Sequence, residues 1–200
     1  METKYFDRIS EGYKGELGTE VMEQARKRID WICAKSQGET ILDIGCSQGI
    51  ISILLGRRGK KVLGIDSEIS RIQYAEKELE EDPELKETVR FLCDDFLNCK
   101  FEEKFDCIIM GEFLEHVFDP ILFLDKAMSL LKENGRLIVT VPFGINPFPD
   151  HKRTYYFTEL FYQINERICV NDVCFFGGWI GFAADKKIQG NSIDLSLIHI

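Results

Sequence analysis

Positive charge is scarce in this chain. Its 200 residues carry 25 Lys and Arg against 34 Asp and Glu, a net charge of −9, so no global field draws it to nucleic-acid phosphates, which normally call for a basic face. Long apolar runs are missing too. No stretch approaches the roughly 18 apolar residues of a membrane span, and the opening METKYFDRISEGYKGELGTE lacks the apolar core of a signal peptide. The seven cysteines, at 33, 46, 93, 99, 107, 169 and 174, are odd in number and fall at no C-x-x-C spacing. That argues against a zinc cage or a disulfide framework and for a reducing cytoplasm. Repeats, low-complexity tracts and linker-like segments are absent, and only three histidines are available for acid–base work. What is present, 44% hydrophobic residues, suffices to bury one sizeable core without metals or cross-links.

The remaining order is an alternation of short apolar runs and helical stripes. Thr40–Ile44 is an apolar run followed by the turn Gly45-Cys46-Ser47-Gln48-Gly49 and by Ile50, Ile51, Ile53 and Leu54, which predicts strand, tight turn and helix. In a dinucleotide site, G-x-G-x-x-G, the middle glycine lets the backbone approach a pyrophosphate; here that position is Ser47. Asp43, just before the turn, would repel a diphosphate and attract an ammonium group. Asp66 closes the next apolar run, where a carboxylate can accept hydrogen bonds from both ribose hydroxyls. The pair points to an adenosine carrying methionine.

Further along, a helix is predicted over 19–34 from Val21, Ala25, Ile29 and Ile32, and another from Ile69, Ile72, Ala75 and Leu79 with Ser67 as its cap. Val89–Cys93 and 105–110 read as strands. Ile121, Leu124, Met128 and Leu131 mark a helix that Glu133-Asn134-Gly135 stops, before a strand over 137–141. A loop rich in glycine, proline and aromatics follows, then a short helix from about Phe157 and apolar runs at 168–176 and 179–184. Ile193, Leu195 and Leu197 alternate like an edge strand.

The stretches ILDIGCSQG (41–49), VLGIDSE (62–68), VRFLCDDFLN (89–98), FDCIIMGEFLEHVFDP (105–120) and LLKENGRLIVTVPFG (130–144) together resemble the class I S-adenosylmethionine-dependent methyltransferases, in the family's order. The resemblance implies an α/β, Rossmann-like doubly wound fold: a mostly parallel seven-stranded sheet with helices on both faces and the last strand antiparallel. It implies a single domain over 1–200, with an N-terminal lid and helix (1–35), a cofactor-binding core (40–145), and an acceptor loop with the last strands (146–200). S-adenosylmethionine is then expected against Asp43, Gly45, Cys46 and Gly49 of the turn, Asp66 and Ser67 after the second strand, and Asp95 and Phe96 after the third. Met110 and Gly111 form the corner at the methionine portion, and Tyr13, with Tyr5, Phe6 and Gly15, belongs to the lid. Cys46 is expected to matter by position, not by reactivity.

The chemistry is an in-line displacement at a sulfonium methyl, so alignment matters most, and a hydroxyl acceptor must also lose its proton. Histidine suits that task near neutral pH. His116 and His151 are the candidates; His199 is expected to be exposed. Glu112, Glu115, His116 and His151 also offer two carboxylates and two imidazoles for a divalent cation, a set that resembles the ligands of small-RNA 3′-terminal 2′-O-methyltransferases, with related acidic positions in ubiquinone-pathway O-methyltransferases. The acidic chain disfavours an RNA end, and a metal-free reaction is the expectation. The loop 142–156, with Phe143, Phe148, Tyr155 and Tyr156 around His151, Lys152 and Arg153, is expected to wall the acceptor, its cations holding a phosphate or carboxylate. HKRTYYFTEL (151–160) resembles methyltransferases of sugar, glycan and natural-product pathways. The function these signs imply is O-methylation of a small molecule or glycan, with RNA 2′-O-methylation or a non-catalytic cofactor-binding subunit as alternatives.

Overall fold

The computed structural model describes residues 8–186. Tyr5, Phe6, the alternation of Ile193, Leu195 and Leu197, and His199 lie outside them. A short helix α1 (Ile9–Lys14) and the longer α2 (Thr19–Lys35) precede the alternating units. These are β1 (Thr40–Ile44), α3 (Ile50–Gly56), β2 (Lys61–Asp66), α4 (Ile69–Glu80), β3 (Val89–Cys93), β4 (Phe105–Gly111), α5 (Pro120–Leu130) and β5 (Leu131–Pro142), closed by α6 (Phe157–Asn165), β6 (Cys169–Phe175) and β7 (Trp179–Asp185).

The seven strands form one sheet in the order β3-β2-β1-β4-β5-β7-β6. The first five are mutually parallel, and β7 runs antiparallel to both its neighbours. Alternation along the strands separates two cores. Leu42, Ile44, Ile108 and Met110 join Leu124 and Ala127 of α5 and Leu160 and Ile164 of α6, while Ile41, Cys107 and Ile109 join Ile29 and Ile32 of α2 and Ile50, Ile51 and Ile53 of α3. The sheet is therefore covered by helices on both faces, as a parallel sheet requires. Strand order reverses at β1 and β4, the neighbours from which the chain leaves in opposite directions, and the crevice above their carboxyl ends is where such sheets bind ligands.

Three local details differ from the expectations. Residues 9–14 form a helix of their own. The helix before β5 stops at Leu130, earlier than predicted, because Leu131 already pairs with Phe105, and Asn134, at φ 62°, makes the left-handed turn expected of the glycine beside it. Glu68, not Ser67, occupies the cap position of α4, with no side-chain cap bond among the described residues, and its own N–H donates to the Asp66 carboxylate at 2.9 Å.

At the opposite rim, Asp106 joins β1 to β4. Its carboxylate accepts from the Glu39 and Thr40 amides, at 3.0 and 2.9 Å, and from the Thr40 hydroxyl at 2.9 Å, and pairs with Lys132 at 3.0 Å. Burial opposes ionisation there, but the Thr40 N–H, the Lys132 ammonium and the Thr40 hydroxyl outweigh it and hold the carboxyl well below the usual range. A depressed folded-state pKa contributes stability above the unfolded pKa and loses it as pH falls. Asp106→Ala is expected to lose on the order of 2 kcal/mol at neutral pH, with the deficit shrinking in acid; urea melts at about pH 7 and about pH 3 check this, and equal deficits at both would contradict it.

Candidate active site

The turn after β1 is built for close approach. Gly45 (φ 69°) and Cys46 both donate to the Ile65 carbonyl, at 2.8 and 3.1 Å, which lays the turn over the end of β2. A Cβ on Gly45 would stand 2.4 Å from the Phe113 ring, so the position must be glycine on both conformational and steric grounds. Ser47 takes the left-handed conformation (φ 48°) that a dinucleotide turn gives to glycine, and its N–H donates to Asp66 Oδ2 at 2.9 Å. Asp66 thus accepts from Ser47 and Glu68 with one oxygen each, leaving acceptor capacity on a carboxylate with about four lone-pair sites.

Above these residues lies a cavity of about 490 Å³, lined by Gly45, Ser47, Asp66, Ser67, Asp95 and Phe96 among others. The Ser47 hydroxyl is buried and has no hydrogen-bond partner among the described residues, an unsatisfied polar atom at the cavity that a polar ligand would complete. Asp95 holds its own turn by accepting from Leu97 N and Asn98 Nδ2, at 2.9 and 2.6 Å. Phe96 is fixed from below, stacked on Phe123 at 6.1 Å with the Lys126 ammonium 5.1 Å from its ring centre.

Other members of the expected cofactor set sit behind the lining. Met110 is fully buried in the core beneath the site. Gly49 (φ 78°) faces the packing side, where a Cβ would meet Phe91 at 2.6 Å and Ala75 at 2.8 Å, so it admits close helix–strand contact. Cys46 is buried, and burial pushes its thiol well above the ordinary value, leaving an inert space-filler. Tyr13 points to α2, its hydroxyl 3.5 Å from Asp30. Asp43 lies one layer down and accepts from the Ser52 hydroxyl at 2.7 Å.

A second cavity of about 240 Å³ adjoins the first, and Glu112 and His116 line both. Its walls come from α1, α2, β7 and the loop after β5: Ile9, Leu17, Val21, Phe148 and Trp179, with His151, Glu115 and Arg28 at its polar side. The Lys152 N–H donates to the Glu115 carbonyl at 2.7 Å and the His151 N–H to Phe148 at 3.1 Å. These bonds bring the distant loop onto the 3₁₀ turn Leu114–His116 and set the two imidazole rings 4.9 Å apart. His116 Nδ1 lies 3.3 Å from Asp150.

Donor atoms of Glu115, His116 and His151 lie within 4.8 Å of one another. A buried carboxylate with two imidazoles suits a divalent cation, so the residues fit the expected ligand set except for Glu112. That side chain, on a residue at φ 55°, is engaged by the Arg28 guanidinium and the Trp179 indole N–H.

The expected acceptor wall is only partly realised. Phe148 and His151 line the second cavity, but Tyr155 is buried in the core and Tyr156 is half exposed. Lys152 and Arg153 turn to Phe118, the first over its ring and the second to its carbonyl. The cavity's cations are instead Arg8 and Arg28. Arg28 carried a signal in the sequence: with Ala25, Ile29 and Ile32 it falls on the buried stripe of α2. Gln48 and Trp179 carried none.

A sequence model of the methyltransferase domain matches residues 35–173, and the chain belongs to that family. It is 35% identical over 116 residues to a ubiquinone biosynthesis O-methyltransferase of Actinobacillus pleuropneumoniae, a match covering 55% of this chain and 50% of that protein. The chain spans about half the length of the curated relatives it matches. Among solved structures, the magnesium protoporphyrin IX methyltransferase of Synechocystis with bound S-adenosylhomocysteine superposes with a TM-score of 0.72 at 18% identity, over 90% of this chain and 93% of that one. The cyclase SpnF gives 0.73 at 16%, over 82% of each chain. Both share this fold.

Burial pushes the Asp43 carboxyl up to about 6, against the lowering effect of the Ser52 bonds and with Asp66 adding to the rise. A raised folded-state pKa gives stability that is present in acid and lost as pH rises through that value. Asp43→Asn keeps an acceptor for Ser52 and removes the charge. It is expected to gain on the order of 2 kcal/mol over the wild type between about pH 4 and about pH 8; a difference independent of pH in paired urea melts would sink the assignment.

Proposed function

We propose that the chain binds S-adenosylmethionine in the larger cavity and transfers its methyl group to a hydroxyl oxygen of a small molecule held in the smaller one. The observation that carries this reading is the meeting of the two cavities at His116 and Glu112, directly beyond the glycine turn and Asp66. A cyclase shares the fold, so the site and not the architecture supports the activity. The name of the curated O-methyltransferase relatives supports oxygen as the acceptor atom.

In this reading Asp66 takes the ribose hydroxyls, Asp95 and Phe96 hold the adenine, and the turn 45–49 meets the amino-acid end. S-adenosylmethionine supplies an electrophilic methyl on a sulfonium. The protein's task is to hold the acceptor oxygen in line with the carbon–sulfur bond and to exclude water. His116, at the junction, accepts the acceptor's proton as the oxygen–carbon bond forms and the carbon–sulfur bond breaks. A proton on Nδ1, turned toward Asp150 at 3.3 Å, would leave Nε2 as the base. The apolar walls Ile9, Val21 and Trp179 suit an acceptor with an apolar or ring-shaped body, with its hydroxyl toward the histidines. A second reading is favoured by the convergence of Glu115, His116 and His151: these would hold a divalent cation whose Lewis acidity lowers the pKa of the acceptor hydroxyl.

Calorimetric titration with S-adenosylhomocysteine is expected to show one site, weakened on the order of 100-fold by Asp66→Ala through loss of charge-assisted hydrogen bonds. Undiminished binding by that variant would remove the cofactor reading. Transfer of labelled methyl into fractionated small metabolites, with and without chelator, separates the histidine base from the cation: unchanged activity in chelator supports the base, and activity lost and restored by added Mn²⁺ supports the metal.

A further inference from the structure

Gln48 is the one residue of the glycine turn whose side chain reaches α1. Its Oε1 accepts the Ser10 N–H at 2.9 Å, its Nε2 donates to Glu11 at 3.2 Å, and its carbonyl accepts the Ser10 hydroxyl at 3.4 Å. The Ser10–Gln48 part of the contact is closed to water, with Ser10 1% and Gln48 8% exposed, so these two residues have no solvent to replace a lost partner. Glu11 is further held by a forked pair from Arg8, both contacts at 2.9 Å.

The two ends of this linkage belong to different cavities. Ser47, adjacent to Gln48, lines the larger cavity and is fastened to Asp66. Arg8, Ile9 and Gly12, on either side of Ser10 and Glu11, line the smaller one. A six-residue helix such as α1 has no stability of its own; its placement depends on what it is fastened to. It is joined to α2 through Tyr13 and Arg26 and to α4 by the Lys14–Glu78 ion pair, and it departs into Gly15 (φ 92°) and Gly18 (φ 102°), positions where the backbone turns freely.

We infer that Gln48 is a positioning residue that couples the cofactor turn to the acceptor wall. A cofactor seated on the turn steadies the Gln48 backbone, the amide steadies α1, and α1 in turn steadies its side of the acceptor cavity. This rests on the cofactor reading above. Cofactor and acceptor therefore bind cooperatively, each tightening the other by the same factor.

Amide hydrogen exchange of the full chain with and without S-adenosylhomocysteine, run beside calorimetry and thermal melts, tests the coupling. In the wild type the ligand is expected to slow exchange over 45–49 and also, about 10-fold, over 9–14. Gln48→Ala is expected still to bind the ligand, no more than about 10-fold more weakly, and to protect 45–49 but not 9–14. Gln48→Glu, which sets a like charge against Glu11, is expected to behave in the same way. Combining Gln48→Glu with Glu11→Gln exchanges acceptor and donor and is expected to restore protection of 9–14, a rescue that a general loss of stability would not produce. Ligand binding without protection of 9–14 in the wild type, or undiminished protection in Gln48→Ala, overturns the coupling alone. No ligand heat in the wild type overturns the cofactor reading and the coupling with it.

Discussion

The Asp66 carboxylate is the joint on which the site depends. One oxygen accepts the Ser47 amide and holds the glycine turn, and the other accepts the Glu68 amide and starts α4. A buried carboxylate is costly unless its lone pairs are used, and here two backbone N–H groups, with Arg71 at 3.7 Å, use part of that capacity. The remainder faces the larger cavity. The group that could bind a diol is thus also the one that shapes the surface around it.

The sheet supplies the geometry around that joint. Because strand order reverses at β1 and β4, the turn after β1 and the segment after β4 leave the same crevice in opposite directions. The first carries the backbone of the glycine turn. The second carries Glu112 at φ 55° and then the 3₁₀ turn with His116, so this imidazole comes to stand between the two cavities. The strained Glu112 backbone is held by contacts from both sides, Arg28 on α2 and Trp179 on β7, as residues in sparsely populated conformations usually are. The β5 loop then returns across the crevice, tied to Glu115 through Lys152, and delivers His151.

Much of this was legible in the chain because it is local. The apolar runs of β1 and β4, the turn glycines and the acid ending β2 are patterns within a few residues, and the strands lie where such runs and the family resemblance place them, except that β5 begins at Leu131 and not at 137. Packing partners were not legible. Gly49 reads as a cofactor glycine until Phe91 and Ala75 are seen against it. Lys152 and Arg153 read as anion-binding cations until Asp150, Glu159 and Phe118 are seen against them. Asn134, in the left-handed turn, donates its N–H to the carbonyl of Lys186, far along the chain. Gln48 and Trp179 act across long sequence separations, and nothing in their neighbourhoods announces it. Arg28 is the intermediate case, a charge on a buried stripe whose partner only the fold reveals.

The proposed site places a nucleoside ligand in the crevice at the carboxyl ends of β1, β2 and β3. When the full chain is titrated with S-adenosylhomocysteine and followed by backbone amide NMR, the amides of 45–49, 66–68 and 95–96 are expected to shift together along one saturation curve. Shifts confined to the opposite rim, around Lys61, Arg90 and Glu103, would contradict it.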